Sequence, residues 1–176
     1  MKDRSKLTTE KRNLKTADID RRSTIEIVDI INGQDMLIAP AVAKQRKRIA
    51  AAVNVIVQSF NSGGRLFYVG AGTSGRLGTL DAAECPPTYG VKPSMVQGII
   101  AGGRRALVRS VEGAEDIAIN GAKAIAKKNL KPADVVVDIA ACGITPFVLG
   151  AMKKAKQIKE KIKEKNNLPG ICGRVC

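Results

Sequence analysis

The N-terminal third of the chain carries apolar residues at helical spacing between polar stretches. The first twenty or so residues are charged and aperiodic, which predicts a solvated arm. Ser23 and Glu26 have the spacing of a capping box, and the apolar residues after them predict a short amphipathic helix that stops at Gly33. A longer helix is expected from near Pro40 to the stop at Ser62–Gly64.

From Arg65 the pattern changes to short apolar runs that alternate with longer amphipathic stretches. Pro86 and Pro87 are expected to end the first helix of this part, since proline lacks a backbone N–H. The alternation predicts an α/β fold in three layers, a mostly parallel sheet flanked by helices. Strands are predicted at 66–69, 95–100 and 134–140, and helices at 74–84, 115–128 and 146–165.

The same pattern predicts two parts, an N-terminal arm with helices at 1–62 and a sheet domain at 63–176. Three strands are few for a sheet of this kind, and residues 171–176 would add only a short fourth strand. The lysine- and glutamate-rich run after Lys153 is interpreted as a solvated helix and tail. We therefore expect a sheet that is incomplete at the C-terminus.

The net charge of +14 is concentrated at the two ends of the chain. Residues 1–22 carry a net charge of +4 and residues 153–176 a net charge of +6, which leaves +4 for the 130 residues between them. No aromatic residue lies within either basic segment to stack on a base. We therefore predict an anionic small molecule as the partner, and neither nucleic acid nor a membrane.

The residue types exclude several kinds of chemistry. The chain has no histidine, so acid–base catalysis has to use Glu, Asp, Lys, Tyr or Cys, and no metal site is expected. The four cysteines show no CxxC spacing and are interpreted as reduced, apolar side chains. No apolar segment has the length of a membrane span or follows the N-terminus as a signal core, which predicts a cytoplasmic protein.

A glycine-rich turn between the first strand and the next helix is a candidate phosphate site. Gly72 and Gly75 let an anion approach the backbone closely, the helix start offers N–H groups, and hydroxyl donors come from Thr73 and Ser74. The alternative is a turn that needs glycine for its geometry alone. A dinucleotide pattern is also formally present, but residues 89–100 contain no acidic residue to hold a ribose, so we exclude a dinucleotide cofactor.

A second turn follows the third strand at the same predicted edge of the sheet. It contains Cys142, Gly143 and Thr145. The Thr145 hydroxyl and the backbone N–H groups around it are candidates to hold the same anion. A plain loop explains these residues equally well, and both interpretations stay open at this point.

Two carboxylates stand out as candidates for catalysis. Glu84 lies where the first helix of the sheet domain is expected to end, and Glu115 lies at an expected helix start, where an acidic residue is often a cap. A straight helix would place Glu84 about 15 Å from the phosphate turn at ~1.5 Å per residue. Either that helix bends back, or Glu84 serves the site of a neighbouring subunit, which predicts a dimer.

Several of these segments together resemble a known family, the N-acetylmuramic acid 6-phosphate etherases. The similarity runs over about residues 7–155, and the stretch Gly70–Gly90 is its most specific part. The resemblance implies the sugar isomerase (SIS) fold, a homodimer and a role in bacterial cell-wall recycling. The segments are Leu7–Glu10, Ile19–Thr24, Gly70–Gly78, Asp81–Gly90, Ile100–Gly103 and Val111–Asp116.

The resemblance also implies a lyase reaction on a phosphorylated amino sugar. The D-lactyl ether at C3 of N-acetylmuramic acid 6-phosphate is eliminated, and water then adds to give N-acetylglucosamine 6-phosphate and D-lactate, with neither metal nor nucleotide. Glu84 matches the family's proton donor to the departing lactate, and Glu115 matches its second catalytic carboxylate. The residues Thr73, Ser74 and Gly75 match its phosphate-binding turn.

Two departures from the family pattern affect this expectation. Cys142 and Ile144 stand where the family usually carries Ser and Arg, so the second turn lacks a hydroxyl and a cation. Residues from about 156 onward no longer resemble the family, whose members continue with further strands. We therefore predict part of the family's site, with weak or no activity of this chain alone.

Two alternatives to an etherase share the same fold. One is a non-catalytic regulatory protein that binds a sugar phosphate, as the related glucokinase regulatory protein illustrates. The other is a sugar-phosphate isomerase, which would leave the block Glu84–Pro87 unexplained.

Overall fold

The computed structural model describes residues 7–166, in which three parallel strands are flanked by helices. The predicted α/β class is confirmed. The strands are β1 Leu66–Gly70, β2 Val96–Ile100 and β3 Val135–Ile139, and the helices are α1 Thr24–Asp35, α2 Ile38–Lys44, α3 Arg46–Asn61, α4 Gly72–Tyr89, α5 Arg105–Val108, α6 Ala118–Ala126 and α7 Pro146–Asn166. Short 3-10 helices occupy Thr8–Glu10, Leu14–Thr16, Ile19–Arg21 and Ala114–Asp116.

The described part of the chain divides into two compact units, with the boundary between Val53 and Asn54. The predicted boundary after residue 62 stays a prediction. In the first unit, the capping box that starts α1 is confirmed, with the Ser23 hydroxyl accepting from the Glu26 N–H and the Glu26 carboxylate accepting from the Ser23 N–H. The predicted stop at Gly33 is wrong, because Gly33 keeps a negative φ and the Met36 N–H still donates to Asn32 O.

The longer helix predicted after this one is interrupted. Two helices, α2 and α3, meet at Gln45, where ψ of 3° leaves the α-helical range. Pro40 lies in the first turn of α2. Because N–H groups in the first turn have no acceptor within the helix, the missing N–H of Pro40 costs α2 no hydrogen bond. The predicted stop is confirmed, since Gly63 adopts a left-handed φ of 69° directly after α3.

The sheet has the order β2-β1-β3, so β1 is central and each outer strand has one neighbour among the described residues. Alternate side chains of β1 enter two apolar clusters. Phe67 and Val69 pack in the cluster built with α6 and α7, whereas Leu66 packs in the one built with α4. Helices therefore cover both faces of the sheet, as the strand–helix alternation predicted.

One buried ion pair ties the start of β1 to the start of β3. Asp134 is fully buried and accepts hydrogen bonds from the Arg65 N–H at 2.8 Å, from Arg65 Nη2 at 2.7 Å and from the Lys131 N–H at 2.8 Å. Burial alone would raise the pKa of Asp134, but these hydrogen bonds outweigh burial and hold the pKa below its usual value. The carboxylate therefore stays ionised in the folded chain.

Helix α4 differs from the prediction at both ends. It begins at Gly72, two residues earlier than expected, and it continues through Pro86 and Pro87 to Tyr89. The two prolines lie in the last turn, so only two residues follow them before Gly90 ends the helix in the left-handed conformation. Each proline lacks the backbone N–H that would donate to the carbonyl four residues earlier, so two helical hydrogen bonds are missing in this turn.

The connection from β2 to β3 is more broken than the sequence indicated. A short helix, α5, was not predicted, and the helix expected to start at Glu115 starts at Ala118. Glu115 instead lies in the 3-10 helix Ala114–Asp116, which follows Gly113 with its left-handed φ of 70°. Helix α7 matches its prediction closely. The short strand predicted at 171–176 lies outside the described residues.

Candidate functional site

Two turns meet at one edge of the sheet. Gly70 at the end of β1 pairs with Ile139 at the end of β3, and the two strands run parallel. Helix α4, which follows β1, packs on one face of the sheet, and α7, which follows β3, packs on the other. Neighbouring parallel strands whose connections leave to opposite faces form a crevice, and ligands bind there in open α/β sheets.

The first turn presents the start of a long helix to this edge. The first N–H that donates back within the turn is that of Gly75, which reaches Ala71 O at 3.2 Å. The N–H groups of residues 72–74 therefore have no acceptor within the helix, and they carry the positive end of its dipole. Thr73 is exposed and Ser74 is half-buried. This arrangement suits a bound oxyanion.

Different physical constraints require glycine at different positions of this turn. Gly72 adopts a left-handed φ of 54°, and a Cβ there would meet no atom within 4 Å. A Cβ at Gly75 would lie 2.6 Å from Ile100 Cγ1, and one at Gly78 would lie 2.7 Å from Tyr68 Cβ. Close packing of α4 on the sheet therefore explains Gly75 and Gly78, whereas the conformation of the turn explains Gly72.

A cleft beside the helix start brings the turn and one predicted carboxylate together. Its empty volume, including the open mouth, is about 380 Å³. Gly72 lies on one wall, and the segment from Ser110 to Glu115 forms another. The structure thus places Glu115, although it does not begin a helix, next to the predicted phosphate turn.

Arg76 also lines this cleft, and it is not among the site residues predicted from the sequence. Its side chain is half-buried, and its Nε donates to Leu107 O of α5 at 3.2 Å. A usable signal was present, because Arg76 follows Gly72 by four residues and so lies on the same helix face. The phosphate site predicted from the sequence was based on the glycines and hydroxyls of the turn and did not include this cation.

Glu84 is not part of the same cleft. It is exposed on α4, twelve residues after Gly72, which corresponds to about 18 Å at ~1.5 Å per residue. Because α4 is continuous from Gly72 to Tyr89, the helix does not bend back early to deliver Glu84. Within one chain, the two predicted catalytic carboxylates are therefore not brought together at the helix start.

The second turn lies at the adjoining strand end but does not line the cleft. Cys142 and Thr145 are half-buried, and Gly143 takes a left-handed φ of 68°. Thr145 O accepts from the Leu149 N–H at 3.0 Å, which makes Thr145 the residue before α7. The second turn therefore lies beside the crevice, at the end of β3.

A polar cluster lies under α4, away from the cleft. Burial of Tyr68, together with the interaction of its hydroxyl with the negatively charged Asp81 carboxylate, raises the pKa of Tyr68 to about 12. Burial and the same carboxylate also raise the pKa of the Cys85 thiol. Cys85 is therefore a poor nucleophile, in agreement with its interpretation as an apolar side chain.

Residues 7–166 show neither a metal site nor a membrane span. No group of three or more cysteine, aspartate or glutamate side chains is arranged to hold a metal ion in this part of the chain. No helix of the same part is long and apolar enough to cross a membrane.

Comparison with known proteins gives one family match and many close relatives. The family model described as the glucokinase regulatory protein N-terminal SIS domain matches residues 48–156. An N-acetylmuramic acid 6-phosphate etherase of Actinobacillus pleuropneumoniae serotype 7 is 54% identical over 154 residues, which cover 88% of this chain and 51% of that protein. The match includes the glycine-rich turn, the cleft and Glu84.

Relatives from distant bacteria carry the same name. The N-acetylmuramic acid 6-phosphate etherase of Clostridioides difficile is 51% identical over 86% of this chain and 50% of its own length. That of Rippkaea orientalis is 52% identical over 89% of this chain and 51% of its own length. The chain thus spans about half the length of the curated relatives it matches, and the resemblance seen in the sequence motifs is confirmed.

Proposed function

The chain belongs to the family of the glucokinase regulatory protein N-terminal SIS domain, and from this premise we propose that it acts as an N-acetylmuramic acid 6-phosphate etherase in cell-wall recycling. The carrying observation is the cleft that Gly72, at the start of α4, lines together with Glu115. We also propose a cytoplasmic location, because a charged sugar phosphate crosses a bilayer only at high cost.

The proposed reaction separates into binding and elimination. The phosphoryl group is bound by the N–H groups of residues 72–74 and the hydroxyls of Thr73 and Ser74. Cys142, Gly143 and Thr145 contribute from the second turn. Elimination removes the proton at C2 and breaks the C3–O bond of the ether, so lactate leaves with one proton. Water then adds across the double bond and restores the sugar.

The two carboxylates divide the proton transfers between them. Glu115, which lies at the cleft with Gly72, accepts the proton from C2 as general base. Glu84 donates a proton to the departing lactate oxygen. No metal ion or nucleotide is needed, because both proton transfers use carboxylates and the phosphoryl group stays on the sugar.

The distance between Gly72 and Glu84 supports a dimeric site. We propose that Glu84 reaches the cleft of a second copy of the chain, since a rise of about 18 Å along one helix separates it from its own helix start. The N-terminal helices support a second copy as partner, because many of their large apolar side chains are exposed. These are Ile25, Val28, Ile31, Met36, Leu37, Ile38, Val42, Ile49, Val53 and Val57.

The test is release of D-lactate from N-acetylmuramic acid 6-phosphate, with the protein in excess so that a slow single turnover is detected. Glu84→Gln and Glu115→Gln are expected to abolish release. Glu112→Gln is the matched control, because Glu112 also lines the cleft but carries no proposed proton transfer. Release that persists in Glu115→Gln, or that is lost equally in Glu112→Gln, would contradict the assignment.

A regulatory protein that binds a sugar phosphate without catalysis is the second candidate. Its support is the family match itself, together with Cys142 and Ile144 in the second turn, which supply neither a cation nor a serine hydroxyl. Wild-type protein that binds N-acetylglucosamine 6-phosphate but releases no D-lactate from the muramic acid phosphate would favour this candidate.

A further inference from the structure

Arg76 is held at the wall of the cleft by one hydrogen bond, which its inner nitrogen Nε makes. Nε donates to Leu107 O at 3.2 Å, which fixes the plane of the guanidinium. The two Nη atoms, with four N–H donors, make no hydrogen bond to any residue within 7–166. Because the half-buried Arg76 side chain lines the cleft, a ligand that enters the cleft can accept from these donors.

No carboxylate in the described part of the chain pairs with Arg76, although acidic residues are close in the fold. Glu112 and Glu115 line the same cleft, yet neither forms an ion pair with the guanidinium within 4.0 Å. Glu112 accepts instead from the Ser110 hydroxyl at 2.6 Å. A charged group that is partly removed from water without a counterion is unfavourable, and an anionic ligand would relieve this cost.

Helix geometry directs this cation toward the predicted phosphate turn. Arg76 lies one turn after Gly72 on the same face of α4. Side chains on a helix lean toward its N-terminus, and Arg76 lines the same cleft as Gly72, at the helix start where the N–H groups of residues 72–74 have no helical acceptor. An oxyanion at the helix start would therefore meet backbone donors and a guanidinium together.

We infer that Arg76 binds the substrate's phosphoryl group through its Nη atoms, alongside the backbone N–H groups at the start of α4. This inference deepens the proposed function and rests on it for the identity of the sugar phosphate. It assigns binding of the phosphoryl group to Arg76, and chemistry to the carboxylates. Loss of Arg76 then weakens binding of every phosphorylated ligand, whether or not that ligand carries lactate.

Calorimetric titration of the full chain tests the inference with N-acetylglucosamine 6-phosphate and with unphosphorylated N-acetylglucosamine as probes. Arg76→Gln is expected to weaken binding of the phosphate ester by roughly tenfold or more, as for loss of a charge-assisted hydrogen bond. Arg76→Lys keeps the charge and is expected to retain part of the affinity. Arg105→Gln is the matched control, an exposed arginine of α5 with the same change in charge.

The same variants separate binding from folding and from catalysis. Thermal unfolding of Arg76→Gln and Arg76→Lys shows whether loss of the Leu107 contact disturbs the fold. In assays of D-lactate release, Arg76→Gln is expected to raise KM more than it lowers kcat. Binding without release in wild type would remove the etherase proposal and leave the Arg76 inference standing.

Three outcomes would overturn the inference. Equal affinity of wild type and a folded Arg76→Gln variant for the phosphate ester would show that Arg76 does not touch the phosphoryl group. If Arg76→Gln weakened binding of unphosphorylated N-acetylmuramic acid but not binding of the phosphate ester, Arg76 would be assigned to the lactyl carboxylate. Absence of any binding of the phosphate ester by wild type would remove the phosphate site altogether.

Discussion

Glu84 lies twelve residues beyond Gly72 on one unbroken helix, and this fixed separation decides which chain Glu84 can serve. A rigid rise of about 18 Å is not closed by rotating a side chain. If both residues act on one substrate, two chains have to contribute to each site. Mixed dimers provide a direct measurement of this arrangement.

Mixing Glu84→Gln chains with Glu115→Gln chains is expected to restore activity that neither variant shows alone. In a mixed dimer with shared sites, one site receives both intact carboxylates and the other receives none. Random mixing should therefore recover roughly a quarter of wild-type D-lactate release. If both carboxylates came from the same chain, every site would keep one defect, and mixing would restore nothing.

Gly78→Ala is expected to destabilise the fold, because a Cβ at that position would lie 2.7 Å from Tyr68 Cβ and 3.1 Å from Ile139 Cδ1. Pushing α4 away from the sheet should cost about 1–3 kcal/mol in the free energy of unfolding. Gly33→Ala in α1 is the control, since no atom lies within 4 Å of its Cβ and alanine favours a helix. Urea unfolding should show opposite signs, and equal stability of the two variants would contradict the packing argument.

Asp134→Ala is expected to lower the free energy of unfolding by about 2–4 kcal/mol, somewhat less than for a fully buried ion pair because Arg65 is 22% exposed. The variant would leave the N–H groups of Arg65 and Lys131 without their acceptor. Glu160→Gln, which removes an exposed i,i+4 pair with Lys156, should have little effect in the same denaturant titration. A large effect at Glu160 together with a small one at Asp134 would reverse this ranking.

The lowered pKa of Asp134 also sets the direction of an acid effect. A carboxylate whose folded pKa lies below its unfolded value contributes stability above the unfolded pKa of about 4, and this stability is lost as pH falls through the folded pKa. Asp134→Ala removes this contribution. The stability difference between wild type and the variant should therefore shrink below pH ~4, as measured by urea unfolding.

Tyr68 gives the corresponding effect at alkaline pH. Its folded pKa of about 12 lies above the unfolded value of about 10, so the folded state retains the phenol proton more strongly. Stability from this group is present below pH ~10 and is lost as pH rises toward 12. Tyr68→Phe should flatten the decline in thermal stability over this interval, and an unchanged decline would show that other groups cause it.

The sheet and most helices were predictable because apolar spacing reports directly on secondary structure. The runs that became β1, β2 and β3 are short and apolar, and the capping box at Ser23 is a local hydrogen-bonding pattern. The passage of α4 through Pro86 and Pro87 was not predictable in this way. A proline inside a helix loses a hydrogen bond and clashes with the carbonyl four residues earlier, and packing elsewhere in the fold, which local patterns do not encode, decides whether the helix continues.

The candidate site was predictable only where chemistry and chain position coincide. The turn at Gly72 could be predicted from its composition. The role proposed for Arg76, in contrast, depends on the cleft formed with a segment more than thirty residues later in the chain. The burial of Asp134 could not be predicted from the local sequence either, because its partner, Arg65, lies at the start of another strand. Contacts of this kind arise from the sheet order, which local patterns do not encode.

The outer strands β2 and β3 each have one hydrogen-bonded neighbour among the described residues. Along β3, alternate amides point toward β1 and away from it. In deuterated solvent, the amides that point toward β1 should be protected from hydrogen exchange, and those that point away should exchange. Protection should therefore fall on every second residue of β3. Any extended peptide that adds to the outer side of β3 would then be visible as a change in isotope uptake at the other set, before it altered helix content or overall size.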